Sequence, residues 1–320
     1  MRGKYNIRIQ NSKVCFDLEI RRSITVIKGK SGTGKTTLLT MLREWKALGR
    51  KSGITCISNC EFAVFDHLTH WDYELKNRHN TVIFVDEGID YVFSEAFAHE
   101  LIHSGNYLVC ITRSSYLRNF PYAISEIYEF RTLQKNKSNI TRMYQKYSDM
   151  DELSEQDVVI TEDSNSGFEM MQKLFDCQVV SARGNTCVFQ TVSQYLGETC
   201  RISVVVDGAA FGAYIQELMN LKKYMYLNVL APESFEYLLL NTSAFRRYLT
   251  TELDETYNHC ESRDFFTWEQ YFTQLLTRLI KEHYSNFAYN KSHLNMFFQN
   301  SVMYMEVKKQ LTENYIIENI

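Results

Sequence analysis

The sequence predicts an α/β protein: a parallel sheet covered by helices, then a smaller α/β domain, then a helical C-terminal region. Three observations lead there. The β-branched run Ile24-Thr25-Val26-Ile27-Lys28 passes through a glycine-rich turn directly into Thr37–Arg43, where apolar residues recur at helical spacing. Two more apolar runs, Thr81–Val85 and Tyr107–Ile111, flank a helical stretch, which is the alternation that builds parallel sheets. The same alternation restarts at Val158 and continues to about Pro232, beyond which the spacing reads as helices.

Taken in order, Tyr5–Ile9 and Val14–Leu18 form a short strand pair ahead of the strand at 24–28. The turn that follows is Gly29-Lys30-Ser31-Gly32-Thr33-Gly34-Lys35-Thr36, a complete G-x-x-x-x-G-K-[ST] phosphate-binding loop, with Thr37 next to it at the helix start. Glycine at 29, 32 and 34 lets the backbone curl around a phosphate with its N–H groups inward, and the helix N-terminus adds positive potential. Lys35 is expected to reach the β and γ phosphates, and Thr36 to hold Mg²⁺. A strand at Ile54–Ile57 comes next, and the run at 81–85 then ends in Asp86-Glu87. Paired acids there suit Mg²⁺ binding through Asp86 and activation of the attacking water by Glu87. The strand at 107–111 exits through Thr112 and Arg113, either a γ-phosphate sensor with a charge stabiliser or an ordinary strand exit. A further strand at Ile127–Arg131 closes the first domain.

These residues resemble P-loop NTPases of the class whose catalytic glutamate directly follows the Walker B aspartate, over about residues 1–147. The opening strand pair is similar to the ABC ATPase branch, and Tyr5 or Phe16 is a candidate for stacking on adenine or for core packing. Between Lys35 and Asp86 there is no LSGGQ-like signature and no room for an inserted helical subdomain. The resemblance therefore implies ATP and Mg²⁺ as cofactors, with a protein partner or self-association completing activation.

Residues 148–157 are acidic and weakly apolar, as in a linker. From 158 to 232 a second α/β unit is expected, with Glu162, Asp163 and Asp207 each following an apolar strand at one sheet edge, where oxygen ligands can bind Mg²⁺. This unit resembles a Toprim domain, and its order after a P-loop ATPase resembles the OLD family. The resemblance implies metal-dependent phosphoryl chemistry with Glu162 and Asp207 as ligands, although Ala209 stands where that family carries a second aspartate. A receiver-like domain and a plain α/β domain with solvated carboxylates are the alternatives. Residues 233–320 read as helices, one carrying a capping box at Thr267 and Gln270.

The chain has 320 residues, 45% of them hydrophobic and 23% charged, enough to bury more than one core. A net charge of −3 with scattered basic pairs leaves no global nucleic-acid footprint, though a local groove stays open. Eight cysteines without a C-x-x-C pair, an opening segment without a signal-like apolar run, and no stretch of about 20 apolar residues predict a cytoplasmic protein with no membrane contact. Two metal-like patterns are read as accidental: His99-Glu100-Leu101-Ile102-His103, and Cys56, Cys60, His67 and His70. The function expected is an ATP-hydrolysing protein with a Toprim-like nuclease domain acting on nucleic acid, by family analogy in defence against mobile elements. The alternative is an ATP-dependent interaction module whose second domain is catalytically dead.

Overall fold

The computed structural model describes all residues except 30, 31, 68, 87, 113–116, 136, 137, 151–155 and 320. The α/β class expected from the sequence is what the chain adopts. It divides into two units: residues 1–122, 126–146 and 255–266 form one, and residues 123–125, 147–254 and 267–320 form the other.

In the first unit, β1 (Tyr5–Gln10) and β2 (Val14–Ile20) pair antiparallel and lead into β3 (Ile24–Lys28). The glycine-rich turn then opens α1 (Lys35–Leu48), followed by β4 (Thr55–Ser58), β5 (Glu61–Phe65) and α2 (Trp71–Asn77). Next come β6 (Thr81–Asp86), α3 (Glu95–Ser104), β7 (Tyr107–Ile111), β8 (Ile127–Lys135) and β9 (Ser138–Gln145). The nine-stranded sheet runs β4-β1-β2-β9-β8-β3-β7-β6-β5, and its block β8-β3-β7-β6-β5 is parallel throughout. Strands β3, β6 and β7 are buried along almost their whole length, as continuous apolar runs require between two covering layers. The core on the α1 side joins Leu38, Leu39 and Leu42 to Ile27, Val82, Phe84, Val109 and Ile111.

The strand expected at 54–57 lies elsewhere than a simple alternation suggests. As β4 it pairs antiparallel with β1 at the far edge, and the parallel neighbour of β6 is β5, which the sequence reading did not assign. The burial of β4 alternates between exposed and half-buried, consistent with an edge strand, while β5 is mostly buried. The segment 255–266 joins this unit through backbone bonds, with Gly3 N–H donating to Tyr257 O (2.6 Å) and Ser262 N–H to Met1 O (3.0 Å).

In the second unit, β10 (Tyr147–Met150) precedes β11 (Val158–Thr161), α4 (Ser166–Leu174), β12 (Gln178–Ser181), α5 (Asn185–Ser193) and β13 (Ile202–Val205). Then follow α6 (Ile215–Leu221), β14 (Leu227–Leu230), α7 (Phe235–Leu240), α8 (Ser243–Arg246), α9 (Trp268–His283), α10 (Ser301–Asn314) and β15 (Ile316–Asn319). The sheet order is β10-β15-β14-β13-β11-β12, parallel across the last four and antiparallel where β15 joins. Residues 148–150, which the sequence reading places in a linker, are strand because β15 offers them a partner at Ile316–Glu318. The capping box at Thr267 and Gln270 is present at the start of α9. Among the described residues, no helix is long and apolar enough to cross a membrane.

Candidate functional site

The first unit gathers its candidate residues at the C-terminal edge of the parallel strands. Ile27, Ile111 and Asp86 are aligned across β3, β7 and β6, and Thr112 N–H donates to Ile27 O at 3.1 Å. Two strand spacings separate the loop strand from the Asp86 strand, about 10 Å. Gly34 ends the loop with φ +91° and caps α1, its carbonyl accepting Leu38 N–H at 2.9 Å. A side chain there would meet the left-handed penalty and would also press on the Phe16 ring, 3.2 Å from an ideal Cβ. Phe16 is thus part of the floor under the loop, fully buried and packed on Phe130, rather than a surface for adenine. Tyr5 packs edge-on against Tyr107.

Lys35 is buried and folds back over its own loop. Its ammonium donates to Gly29 O and lies 3.3 Å from Thr33 Oγ1. Both of these acceptors are neutral oxygens, a carbonyl and a hydroxyl. Thr36 and Thr37 are exposed at the helix start, Gly32 is exposed at the loop tip, and Thr112 is buried. Lys30, Ser31, Glu87 and Arg113 lie outside the described residues.

The second unit holds a cavity of about 310 Å³ at the C-terminal edge of β11 and β13. Glu162 follows β11, with its N–H bonded to Val205 O at 2.9 Å. Asp207 follows β13, and its backbone is fixed on both sides, since Val206 N–H and Gly208 N–H donate to Leu230 O and Pro232 O. The two acids meet: Glu162 Oε2 accepts Asp207 N–H at 3.2 Å. Burial pushes the Glu162 carboxyl up to about 7, with Glu269 and Asp163 adding repulsion. Burial raises the Asp207 carboxyl well above its ordinary value too, followed by repulsion from Glu162. Burial thus biases both carboxyls toward the protonated form.

Asp163 lines the same cavity in a different role. Its Oδ1 accepts the N–H groups of Ser164 and Asn165, and its Oδ2 that of Gly167, so the carboxylate is committed to the start of α4. An ideal Cβ on Gly167 would stand 2.6 Å from Asp163 Oδ2, which is why glycine is needed at that approach.

Sequence reasoning missed two acids and a lysine here. Glu236 on α7 is buried, and Glu269 lies in the first turn of α9; both line the cavity. Lys291 Nζ bridges them, 3.2 Å from Glu236 Oε1 and 2.9 Å from Glu269 Oε1, and Tyr289 OH donates to Glu236 at 2.8 Å. From sequence, the segment 266–271 reads as a capping box around Thr267 and Gln270, and Glu269 inside it carries no signal of its own. Ala209 is buried, bonds through its N–H to Glu233 O, and is not part of the cavity wall. Among the described residues, no three His, Cys, Asp or Glu side chains are grouped so as to hold a metal ion.

The H-E-x-x-H pair sits on α3, with imidazole centroids 4.5 Å apart and His103 Nδ1 2.7 Å from the His99 carbonyl of its own helix. Cys56 is on β4, and burial pushes both its thiol and that of Cys60 up, away from the thiolate a metal would need. No protein-family model matches this chain, and no curated protein is similar enough to match it.

Proposed function

We propose that the first unit binds ATP with Mg²⁺ and hydrolyses it. The reading rests on one observation: a complete phosphate-binding loop at a strand-to-helix junction, with Asp86 and Thr112 on the same edge of the parallel sheet. The residues fit the cofactor. Glycine backbone curls where a side chain would collide, and Lys35 already holds its ammonium against the loop oxygens. In this reading Thr36 and Asp86 hold Mg²⁺, Lys35 neutralises the β and γ phosphates, and Glu87 takes the proton from the attacking water. Thr112, with Arg113, contacts the γ-phosphate. MgATP supplies the phosphoryl group that is transferred.

Lys35→Ala should abolish ATP binding, whereas Glu87→Gln should keep binding and lower turnover by at least a hundredfold. Calorimetry and single-turnover hydrolysis separate the two effects. Undiminished ATP affinity in Lys35→Ala would remove the assignment.

The second unit is proposed as a Toprim-like acidic site of the OLD kind, with Glu162 and Asp207 directed at phosphoryl chemistry on nucleic acid and defence against mobile elements as the family-level setting. Two buried acids at the ends of adjacent parallel strands, joined by the Asp207 N–H bond to Glu162, support it. A second reading, an ATP-dependent interaction module without cleavage, draws on the lysine already paired with Glu236 and Glu269 and on Ala209 outside the cavity wall. Magnesium-dependent cleavage that vanishes in Glu162→Gln and Asp207→Asn selects the first. A nucleotide-sensitive protein complex without cleavage selects the second.

A further inference from the structure

Strand β3 ends in Lys28, one residue before the first glycine of the loop. Ile27 packs into the core on the α1 side, so by strand alternation Lys28 belongs to the other face of the sheet, with Val26 and its register partner Cys110 on β7. The residue is 5% exposed, and its ammonium has no hydrogen-bond partner among the described residues. Glu129 on β8 is level with Lys28, but its carboxylate pairs with a second ammonium, Lys146 Nζ, at 3.9 Å. Two lysines thus meet one carboxylate at this corner, and the ion pair goes to Lys146. Burial depresses the Lys28 ammonium to about 8, with repulsion from Lys146 adding to it and Cys110 opposing. Thr112 follows β7 and donates its N–H to Ile27 O, which sets it level with Lys28 at the end of the neighbouring strand.

We infer that Lys28 is the residue by which this site tells ATP from ADP: its buried ammonium stands unpaired at the edge where Thr112 lies, and the γ-phosphoryl group supplies the missing counter-charge. This rests on the ATP reading of the first unit. A buried ammonium without a partner destabilises the fold that holds it, and packing alone would favour an apolar side chain at the end of a fully buried strand. An arriving anion removes that cost. ADP ends at the β-phosphate, which the loop and Lys35 serve in this reading, so it leaves Lys28 as it was. With a γ-phosphoryl group beside it the ammonium is held more firmly, and a chain that has lost part of this proton above pH 8 takes it back as ATP binds.

Calorimetric titration of the full chain at pH 8.5 with Mg²⁺ and either ATPγS, a slowly hydrolysed ATP analogue, or ADP tests this. Repeating it in buffers of different ionisation enthalpy reads proton uptake together with affinity. The parent should take up roughly half a proton or more with ATPγS and close to none with ADP. Lys28→Met should lose that uptake, bind ATPγS at least about tenfold more weakly and keep its ADP affinity within about twofold, while its nucleotide-free form unfolds at higher urea than the parent. Parental affinity for both nucleotides in Lys28→Met would overturn the role of Lys28, whatever the variant's stability, and leave the ATP reading standing. A parent that binds neither nucleotide would overturn both. Should Lys28→Met fail to fold, the parent decides: equal proton uptake with the two nucleotides would refute the proposal.

Discussion

Glu162 links the acidic cavity to the stability of the fold around it. An isolated glutamate titrates near 4.3, whereas burial raises this one to about 7. Below the ordinary value both the folded and unfolded chains carry the proton. Between there and about 7 the folded chain keeps a proton that the unfolded chain has released, so stability falls as pH rises through this window. Glu162→Gln removes that dependence, although Asp207 retains part of it. Without divalent cations, the variant should gain about 1–3 kcal/mol over the parent between pH 5 and pH 7.5, read as a shift in urea midpoint. A loss in the same direction of pH would contradict the burial argument.

Helix α3 carries the H-E-x-x-H pattern on an exposed face. His103 spends Nδ1 on the His99 carbonyl, Glu100 lies 3.7 Å from His99, and the opposite face of the helix buries Phe97, Ala98 and Leu101. Purified protein should contain no stoichiometric zinc by elemental analysis, and His103→Ala should leave metal content and ATP turnover unchanged; zinc released by that variant would reverse this reading. The elements that sequence did reveal are those with one dominant signal. Strands β3, β6, β7, β11 and β13 are continuous apolar runs, and the loop before α1 is fixed by its glycines. Strands β5, β9, β10 and β15 were missed; for β9 and β10 the runs are mixed polar, as in Ser138–Gln145, and each is completed by a partner far along the chain, β2 for β9 and β15 for β10. For the acidic site, Glu162 and Asp207 were legible because each follows an apolar strand. Glu236, Glu269 and Lys291 were not, since three separate segments bring them together and none carries a local pattern.

On the scale of the chain, the first unit is discontinuous. Residues 255–266 return to it, and Ser262 Oγ donates to the buried Gly105 carbonyl at 2.8 Å. A fragment of residues 1–146 therefore loses the Tyr257 acceptor of Gly3 N–H and the Ser262 donors to Met1 O and Gly105 O, and should melt at least several degrees below the same unit in the whole chain or be recovered aggregated. Joining residues 255–266 to that fragment through a flexible linker should restore much of the loss in a thermal scan. Equal melting of the short fragment and the whole chain would show that the returning segment contributes nothing.

The same return sets a timetable. Ribosomes add about 5–20 residues per second, so residues 255–266 finish emerging roughly 6–24 s after residue 146, with most of the second unit emerging in between. During that interval Met1 O, Gly3 N–H and Gly105 O lack the bonds that Tyr257 and Ser262 make, and the nascent chain holds an unfinished surface while a second sheet assembles downstream. Synthesis and folding are thereby out of step, and the first-made half becomes complete only after much of the second half exists.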